Sequence, residues 1–146
     1  MTDAPAGLLE ALQKLPPYVG ITWRGAPGAL SGSIPLPAPL PTSRDPRVAS
    51  SNFTAGALWA IVSVAGRDVA PLSADPAARE IAILPGSTLT PASALHPVDG
   101  VPVQVVLEVR DGMPVGDVPA DGTLADLLVA ARAEGDVEIR QPGRFG

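Results

Sequence analysis

The sequence predicts a single domain that combines several short strands with a helix near each end. Three observations lead to this prediction. The length of 146 residues fits one domain. Apolar runs of strand length, rich in β-branched residues, recur at 57–64, 80–84 and 101–109. The 18 prolines and 15 glycines divide the chain into short elements joined by turns.

Helical periodicity is found near the two ends of the chain. The first helix is predicted to start at Asp3 and Pro5 and to end at a proline pair. The second is predicted to start at Thr123, with Asp126 completing a capping pair, and to end at Gly135. The apolar stripes are Leu8, Leu9, Leu12 and Leu15 in the first helix and Leu124, Leu127, Leu128 and Ala131 in the second.

An alternating strand is predicted at residues 18–24. Val19, Ile21 and Trp23 share the buried face, and Arg24 lies on the opposite face at the strand's end. Asp45 is expected to cap a short helix. Further strands are predicted at 88–95 and 137–140, an extended proline-rich connection at 34–41, and fraying at 144–146.

Composition limits the classes of function. Aromatic residues are only 3% of the chain, so the core must consist mainly of Val, Ile, Leu and Ala. The net charge of -5 argues against nucleic acid as a partner. No apolar run reaches the length of a membrane span, and the first residues do not form a Sec signal peptide. We expect a soluble protein, cytoplasmic or exported by another route.

The side chains available for chemistry are few. Cysteine is absent and His96 is the only histidine, so a typical zinc site and a thiolate nucleophile are excluded. An arginine at one strand end (Arg24), hydroxyls after a loop (Thr42 and Ser43) and a carboxylate at another strand start (Glu80) remain. This set suits cleavage of the N-glycosidic bond of a dinucleotide, because arginine binds pyrophosphate and a carboxylate stabilises an oxocarbenium-like transition state.

Three motifs resemble the arginine-serine-glutamate type of ADP-ribosyltransferase, the type found in bacterial toxins. WRG, ending at Gly25, resembles the strand-borne arginine motif. TSRDPRVA at 42–49 resembles the serine-threonine-serine segment that runs into a helix. GRDVAPLSADPAAREIAILPGSTL at 66–89 is similar to the target-recognition loop, the catalytic glutamate and the strand that follows. All three occur in family order.

The resemblance implies a mixed α+β domain with two facing sheets and a cleft for NAD. The core would cover residues 8–110, and 111–146 would form a C-terminal helical extension, together one domain over 1–146. Glu80 would be the catalytic carboxylate, and Arg24, Thr42 and Ser43 would bind NAD, which is the substrate. No metal is required.

Two positions differ from the family pattern. Pro41 stands where the first serine is expected, and Ala78 stands where arginine-modifying members carry a second glutamate. The resemblance therefore implies an NAD glycohydrolase, or transfer of ADP-ribose to an acceptor other than arginine. The alternative is a catalytically inactive module of the same fold that acts in protein–protein interaction, through an apolar helix face or the extended segment at 35–39.

Overall fold

Strands form most of the regular structure, and short helices lie between and after them. The computed structural model describes residues 6–146. The α+β class predicted from the sequence is confirmed. The helices are α1 (Ala6–Gln13), α2 (Pro46–Ala49) and α3 (Asp121–Ala133), with 3₁₀ turns at Ala70–Leu72 and Pro76–Ala78. The strands are β1 (Pro17–Ala26), β2 (Ile34–Pro35), β3 (Leu40–Ser43), β4 (Ala57–Asp68), β5 (Glu80–Ile83), β6 (Thr88–Pro91), β7 (His96–Val98) and β8 (Val101–Val109).

Hydrogen bonds join these strands into one sheet. The order of neighbours is β1-β3-β5-β4-β8-β6-β2, and β7 pairs with the start of β8. Strands β4 and β8 run parallel, and the other pairs are antiparallel. Strand β4 pairs with β1 along most of its length and with β5 at Arg67 and Asp68. A closed ring is therefore formed by β1, β3, β5 and β4. Two facing sheets were expected, and in the structure their strands are connected through β4 into one sheet.

Both faces of β4 are buried, as its continuous apolar sequence predicts. Leu58, Ala60 and Val62 belong to a cluster on one face, and Ile61 belongs to a cluster on the other. Aliphatic side chains fill most of the core, and Trp23 and Phe145 are its buried aromatic residues within 6–146. The first cluster also contains Leu124 and Leu128 of α3, which are fully buried, so the helix of the 111–146 region packs into the same core as the strands.

Strand β1 begins one residue earlier and ends two residues later than predicted, and its alternation is only partly correct. Ile21 and Trp23 do face the first core cluster. Val19, predicted on the same buried face, is 72% exposed, because it lies at the irregularity between Tyr18 and Gly20, where the pairing of β1 with β4 shifts register. Thr22 on the opposite face is fully buried. The prediction of a single buried face was therefore wrong, since the Thr22 hydroxyl lies 2.6 Å from the buried hydroxyl of Thr42 on β3.

The two predicted caps in the described region have different outcomes. Asp45 caps α2 as predicted, because its carboxylate accepts from the backbone N–H of Arg47. The prediction that Thr123 and Asp126 form a capping pair was wrong, since α3 already begins at Asp121 and has no side-chain cap. Gly135 follows α3 with φ of +81°, the left-handed conformation expected of a C-terminal glycine. The predicted start of α1 at Asp3 and Pro5 lies outside the described residues.

His96 attaches the start of α3 to β7. Its Nδ1 atom lies 2.8 Å from the Ala94 carbonyl oxygen, and its Nε2 atom lies 2.9 Å from Asp121 Oδ1. Both partners accept hydrogen bonds only, so the doubly protonated ring fits this arrangement. The Ala94 carbonyl first, and then the Asp121 carboxylate, raise the pKa of His96 above its ordinary value.

We expect this contact to make stability depend on pH. Because the pKa of His96 is higher in the folded chain than in the unfolded chain, its stabilisation is complete below the unfolded value and is lost as pH rises through the folded value. The parent chain should exceed His96→Gln in free energy of unfolding at about pH 5 and approach it at about pH 9. Urea unfolding at both pH values measures this. A difference that is constant with pH would contradict the prediction.

Glu108 is a fully buried carboxylate that the sequence did not single out. Its Oε1 atom accepts from the backbone N–H groups of Val64 and Ala65 at 2.8 and 3.0 Å and from the hydroxyl of Ser63 at 3.0 Å. Its Oε2 atom accepts from the hydroxyl of Ser87 at 2.6 Å. These bonds link β8 to β4 and to the turn before β6. The linked part of β4 lies just before its end, where β4 pairs with β5.

Residues 137–146 are ordered differently from the prediction. The expected strand at 137–140 does not form, because the backbone of Val137 is held by the side chain of Asn52 through two hydrogen bonds of 2.9 and 3.0 Å. The expected fraying at 144–146 was wrong, since Phe145 is only 5% exposed and belongs to the main core cluster. Within residues 6–146, the helices are too short or too polar to cross a lipid bilayer.

Candidate active site

Three neighbouring strands carry the residues singled out in the sequence. Strand β3 lies between β1 and β5. Trp23 of β1 pairs with Ser43 of β3, and Ser43 pairs with Glu80 of β5. The three motifs are therefore brought side by side by the sheet, with Arg24 one residue beyond the paired row.

Glu80 is the first residue of β5 and is 9% exposed. The chain reaches it through the 3₁₀ turn Pro76–Ala78 and through Arg79, which has a left-handed φ of +50°. The carboxylate of Glu80 binds the guanidinium of Arg144 through two oxygens. Nε of Arg144 donates to Oε1 at 3.0 Å, and Nη2 donates to Oε1 and Oε2 at 2.7 and 2.9 Å. This forked geometry is the strongest that arginine offers a carboxylate.

Arg24 contacts backbone carbonyls. Its Nη1 atom donates to the Pro41 oxygen at 2.8 Å, and its Nη2 atom makes a long contact of 3.4 Å with the Gly146 oxygen. Partial burial lowers the pKa of Arg24 from its ordinary value, although arginine remains charged at neutral pH. Pro41, which has no side-chain group for hydrogen bonding, thus orients the candidate arginine through its carbonyl.

Thr42 and Ser43 are both fully buried. The Thr42 hydroxyl donates to the Ile81 carbonyl at 2.7 Å, so the Thr22 hydroxyl, 2.6 Å away, must donate to Thr42. The Ser43 hydroxyl donates to the Ala78 carbonyl and accepts from the backbone N–H of Asp45 at 3.0 Å. In this conformation both hydroxyls hold the backbone on either side of Glu80.

Two cavities lie beside the candidate residues. The larger, of about 570 Å³, has Glu80, Ala78 and Arg144 in its wall. The smaller, of about 260 Å³, extends to Gly25. The larger cavity is in the size range of small-molecule sites. Both cavities are lined by Val48, Gln141 and Phe145.

Arg144 and Phe145 were missed by the sequence reasoning. They lie in a short Gln-Pro-Gly-Arg-Phe-Gly run with no helical or strand periodicity. The only available signal was one large aromatic residue in a chain that has very few. Among residues 6–146, no three His, Asp or Glu side chains come together as a metal site.

Gly25 is constrained by the neighbouring backbone. A Cβ atom at this position would lie 2.5 Å from the carbonyl oxygen of Ala49 and 3.3 Å from Cβ of Ala55. We expect Gly25→Ala to destabilise the fold by about 1–3 kcal/mol, because α2 must move away from β1. Gly28→Ala is the matched control, since no described atom beyond its two chain neighbours lies within 4 Å of its added Cβ. Urea unfolding of both variants tests this, and equal stabilities would contradict it.

Comparison with known proteins gives structural matches. No protein-family model and no curated protein matches the sequence. Vis toxin, an ADP-ribosyltransferase from Vibrio splendidus, is similar at 24% identity over 69% of this chain and 53% of that chain, with a TM-score of 0.54. The ADP-ribosyltransferase HopU1 of Pseudomonas syringae pv. tomato is similar at 19% identity over 70% of this chain and 49% of that chain, with a TM-score of 0.55.

A third match covers more of the chain. Exoenzyme S from Pseudomonas aeruginosa, crystallised with human 14-3-3 protein beta and carba-NAD, is similar at 22% identity over 84% of this chain and 62% of that chain, with a TM-score of 0.56. This chain spans about half the length of the first two structures. Identities of 19–24% establish the fold alone. The chain has an ADP-ribosyltransferase-like fold.

Proposed function

We propose that this domain binds NAD and cleaves it to nicotinamide and ADP-ribose, or transfers ADP-ribose to an acceptor other than arginine. The main observation is that Glu80, a nearly buried carboxylate, forms part of the wall of a 570 Å³ cavity. The strand that bears Arg24 lies two strands away in the same sheet. The ADP-ribosyltransferase-like fold supports NAD as the ligand.

Glu80 would act on the ribose next to nicotinamide. Its carboxylate would accept a hydrogen bond from a ribose hydroxyl and stabilise the positive charge that develops on the sugar. The bond from the anomeric carbon to the nicotinamide nitrogen breaks, and its electron pair leaves with nicotinamide. Water or an acceptor hydroxyl then bonds to the anomeric carbon and releases its proton to the carboxylate or to solvent.

Arg24 would bind the negative part of the ligand. A guanidinium can bind a pyrophosphate with two parallel hydrogen bonds, and partial burial strengthens that attraction. One N–H group of Arg24 donates to the carbonyl oxygen of Pro41, and another makes only the long contact with the carbonyl oxygen of Gly146. Its remaining N–H groups suit a phosphate oxygen.

Thr42 and Ser43 would support the site from within the protein. Their hydroxyls bond to the backbone of Ile81 and Ala78, the residues on either side of Arg79 and Glu80. The predicted role in NAD binding is therefore indirect in our proposal, through the placement of Glu80. Direct contact with NAD would require the hydroxyls to leave these bonds.

The residue at position 78, an alanine, indicates which kind of group accepts ADP-ribose in our proposal. This position offers a methyl group where a carboxylate would be needed to hold a guanidinium acceptor, so water or a hydroxyl is favoured. Exoenzyme S was crystallised with a 14-3-3 protein. A protein partner is included in our proposal for this chain as well.

The test is incubation of the purified chain with NAD at about millimolar concentration, near the upper end of enzyme KM values. Nicotinamide and ADP-ribose are separated and quantified, and NAD binding is measured by calorimetry. Release of nicotinamide supports the proposal. Absence of both turnover and binding would contradict it.

A non-catalytic interaction module is the second candidate. It is favoured by the pairing of Glu80 with Arg144, which occupies the carboxylate, and by Pro41 in the serine position. Under this alternative, NAD binds without release of nicotinamide, or does not bind. Measurable turnover that depends on Glu80 would exclude it.

A further inference from the structure

Residues 141–146 contact two of the candidate site residues, the catalytic candidate Glu80 and the NAD-binding candidate Arg24. Arg144 donates three hydrogen bonds of 2.7–3.0 Å to the carboxylate of Glu80. Two residues later, the Gly146 oxygen lies 3.4 Å from Nη2 of Arg24. Since consecutive Cα atoms are about 3.8 Å apart, one short stretch of at most about 8 Å connects the two contacts.

Phe145 holds this segment against the sheet. Its side chain is 5% exposed and packs in the cluster that contains Trp23. Its carbonyl oxygen accepts from the backbone N–H of Gly25 at 2.8 Å, next to Arg24. The segment therefore has an ionic, an apolar and a backbone contact, all with elements of the candidate site.

The two cavities lie on either side of the same segment. Gln141 and Phe145 line both of them, Arg144 lines the larger, and Gly146 lines the smaller. Gln141 and Phe145, together with Val48 of α2, form shared walls of the two spaces, which reach Glu80 of β5 and Gly25 of β1. We call this combined space the candidate cleft.

We propose that residues 141–146 are an intramolecular ligand of the candidate cleft and exclude NAD while they are bound. This inference rests on the proposed function, in which the cleft takes NAD. Arg144 donates three hydrogen bonds to the two oxygens of Glu80 and leaves only about one of the roughly four lone-pair positions of the carboxylate free, so its guanidinium takes most of the acceptor capacity that a ribose hydroxyl would use. Phe145 lines both the cavity that reaches Glu80 and the cavity that reaches Gly25.

Residues 141–146 belong to no strand pair, so their release would cost the burial of Phe145 and leave the pairing of the sheet intact. The Arg144 side chain is 42% exposed, and open space lies on both sides of Phe145. Gly143, with φ of +80°, precedes Arg144 and supplies a flexible joint. Upstream, the two hydrogen bonds between Asn52 and Val137 anchor the chain, so movement can be limited to the residues beyond Val137.

The size of the effect follows from the fraction of molecules with an open cleft. If the segment is bound in about 99% of molecules, the apparent Kd for NAD is about 100-fold weaker than the intrinsic value. Loss of the Arg144 guanidinium shifts this equilibrium towards the open cleft. We expect Arg144→Gln to tighten NAD binding by about tenfold or more.

The experiment is calorimetric titration of the full chain with NAD. Arg144→Gln keeps most of the side-chain length and removes the charge. Arg132→Gln is the matched control, because Arg132 has a similar 40% exposure and a salt bridge of 2.6 Å with Asp99, away from the cleft. Phe145→Ala is a second test of the apolar contact, and thermal unfolding checks that it folds. If it does not, Arg144→Gln, which changes an exposed side chain, carries the test alone.

The outcomes separate this inference from the proposed function. Tighter binding in Arg144→Gln with no change in Arg132→Gln supports the inference. Equal or weaker NAD binding in Arg144→Gln than in the parent chain overturns it while the proposed function stands. Absence of NAD binding in every variant overturns the proposed function, and the inference with it.

Discussion

Glu80→Gln should lower the rate of nicotinamide release by about 100- to 1,000-fold, the range found when one transition-state stabiliser is removed from an active site. The amide keeps the size of the carboxylate and loses its charge. The positive charge that develops on the ribose then has no carboxylate beside it. Quantification of nicotinamide after incubation with NAD measures the effect. Glu80→Gln is introduced both into the parent chain and into Arg144→Gln, in which the cleft is expected to be open.

Binding and turnover should respond differently to this substitution. An amide binds Arg144 less strongly than a carboxylate does, so residues 141–146 should be released more often. We expect kcat to fall while KM stays the same or decreases. Glu10→Gln, an exposed change on α1, is the matched control and should leave both constants unchanged. A Glu80→Gln variant that keeps the parent rate would contradict the proposed role of Glu80.

Glu108→Ala should destabilise the fold by about 3–5 kcal/mol, because several buried donors lose their acceptor at once. The affected donors are two backbone N–H groups and two hydroxyls, and Glu108 itself is fully buried. A loss of this size is a large part of the total stability of a small domain, about 5–15 kcal/mol. Urea unfolding, monitored by tryptophan fluorescence, measures the change.

Glu108→Gln is the comparison for this prediction. Glutamine retains one oxygen acceptor for the N–H groups of Val64 and Ala65, and its amide can donate to the hydroxyl of Ser87. We expect a loss of about 1–2 kcal/mol, clearly smaller than that of the alanine variant. Equal losses in the two variants would contradict this prediction, because they would show that the oxygen acceptor and the side-chain volume retained by glutamine contribute nothing to stability at this position.

The elements that the sequence predicted well are those with a local physical cause. The boundaries of β8 coincide with the predicted 101–109, because a β-branched run favours a strand irrespective of its neighbours. Asp45 caps α2 because a carboxylate and the following proline act within one turn. Strand β7 was missed, since His96 and Pro97 have no strand pattern and pair only because β8 lies alongside them.

The sequence singled out residues that the sheet places on neighbouring strands, but it did not indicate their contacts. Trp23, Ser43 and Glu80 form one row across three strands, in agreement with the order of the motifs. The partner of Glu80 is Arg144, which is 64 residues away in the chain. A contact over such a distance depends on the course of the chain after α3. Residues 137–146 have no helical or strand periodicity from which that course could be predicted.

By itself, the sequence determined the α+β class and the strands that carry Arg24 and Glu80. These follow from local patterns of polarity and branching, which each segment expresses alone. Only the tertiary structure decided that the Thr42 and Ser43 side chains are buried and that Gln141 and Phe145 line both cavities. Both depend on contacts between residues that are far apart in the chain. Arg144 and Phe145, for example, acquire their partners only when the sheet brings Glu80 and Trp23 to them.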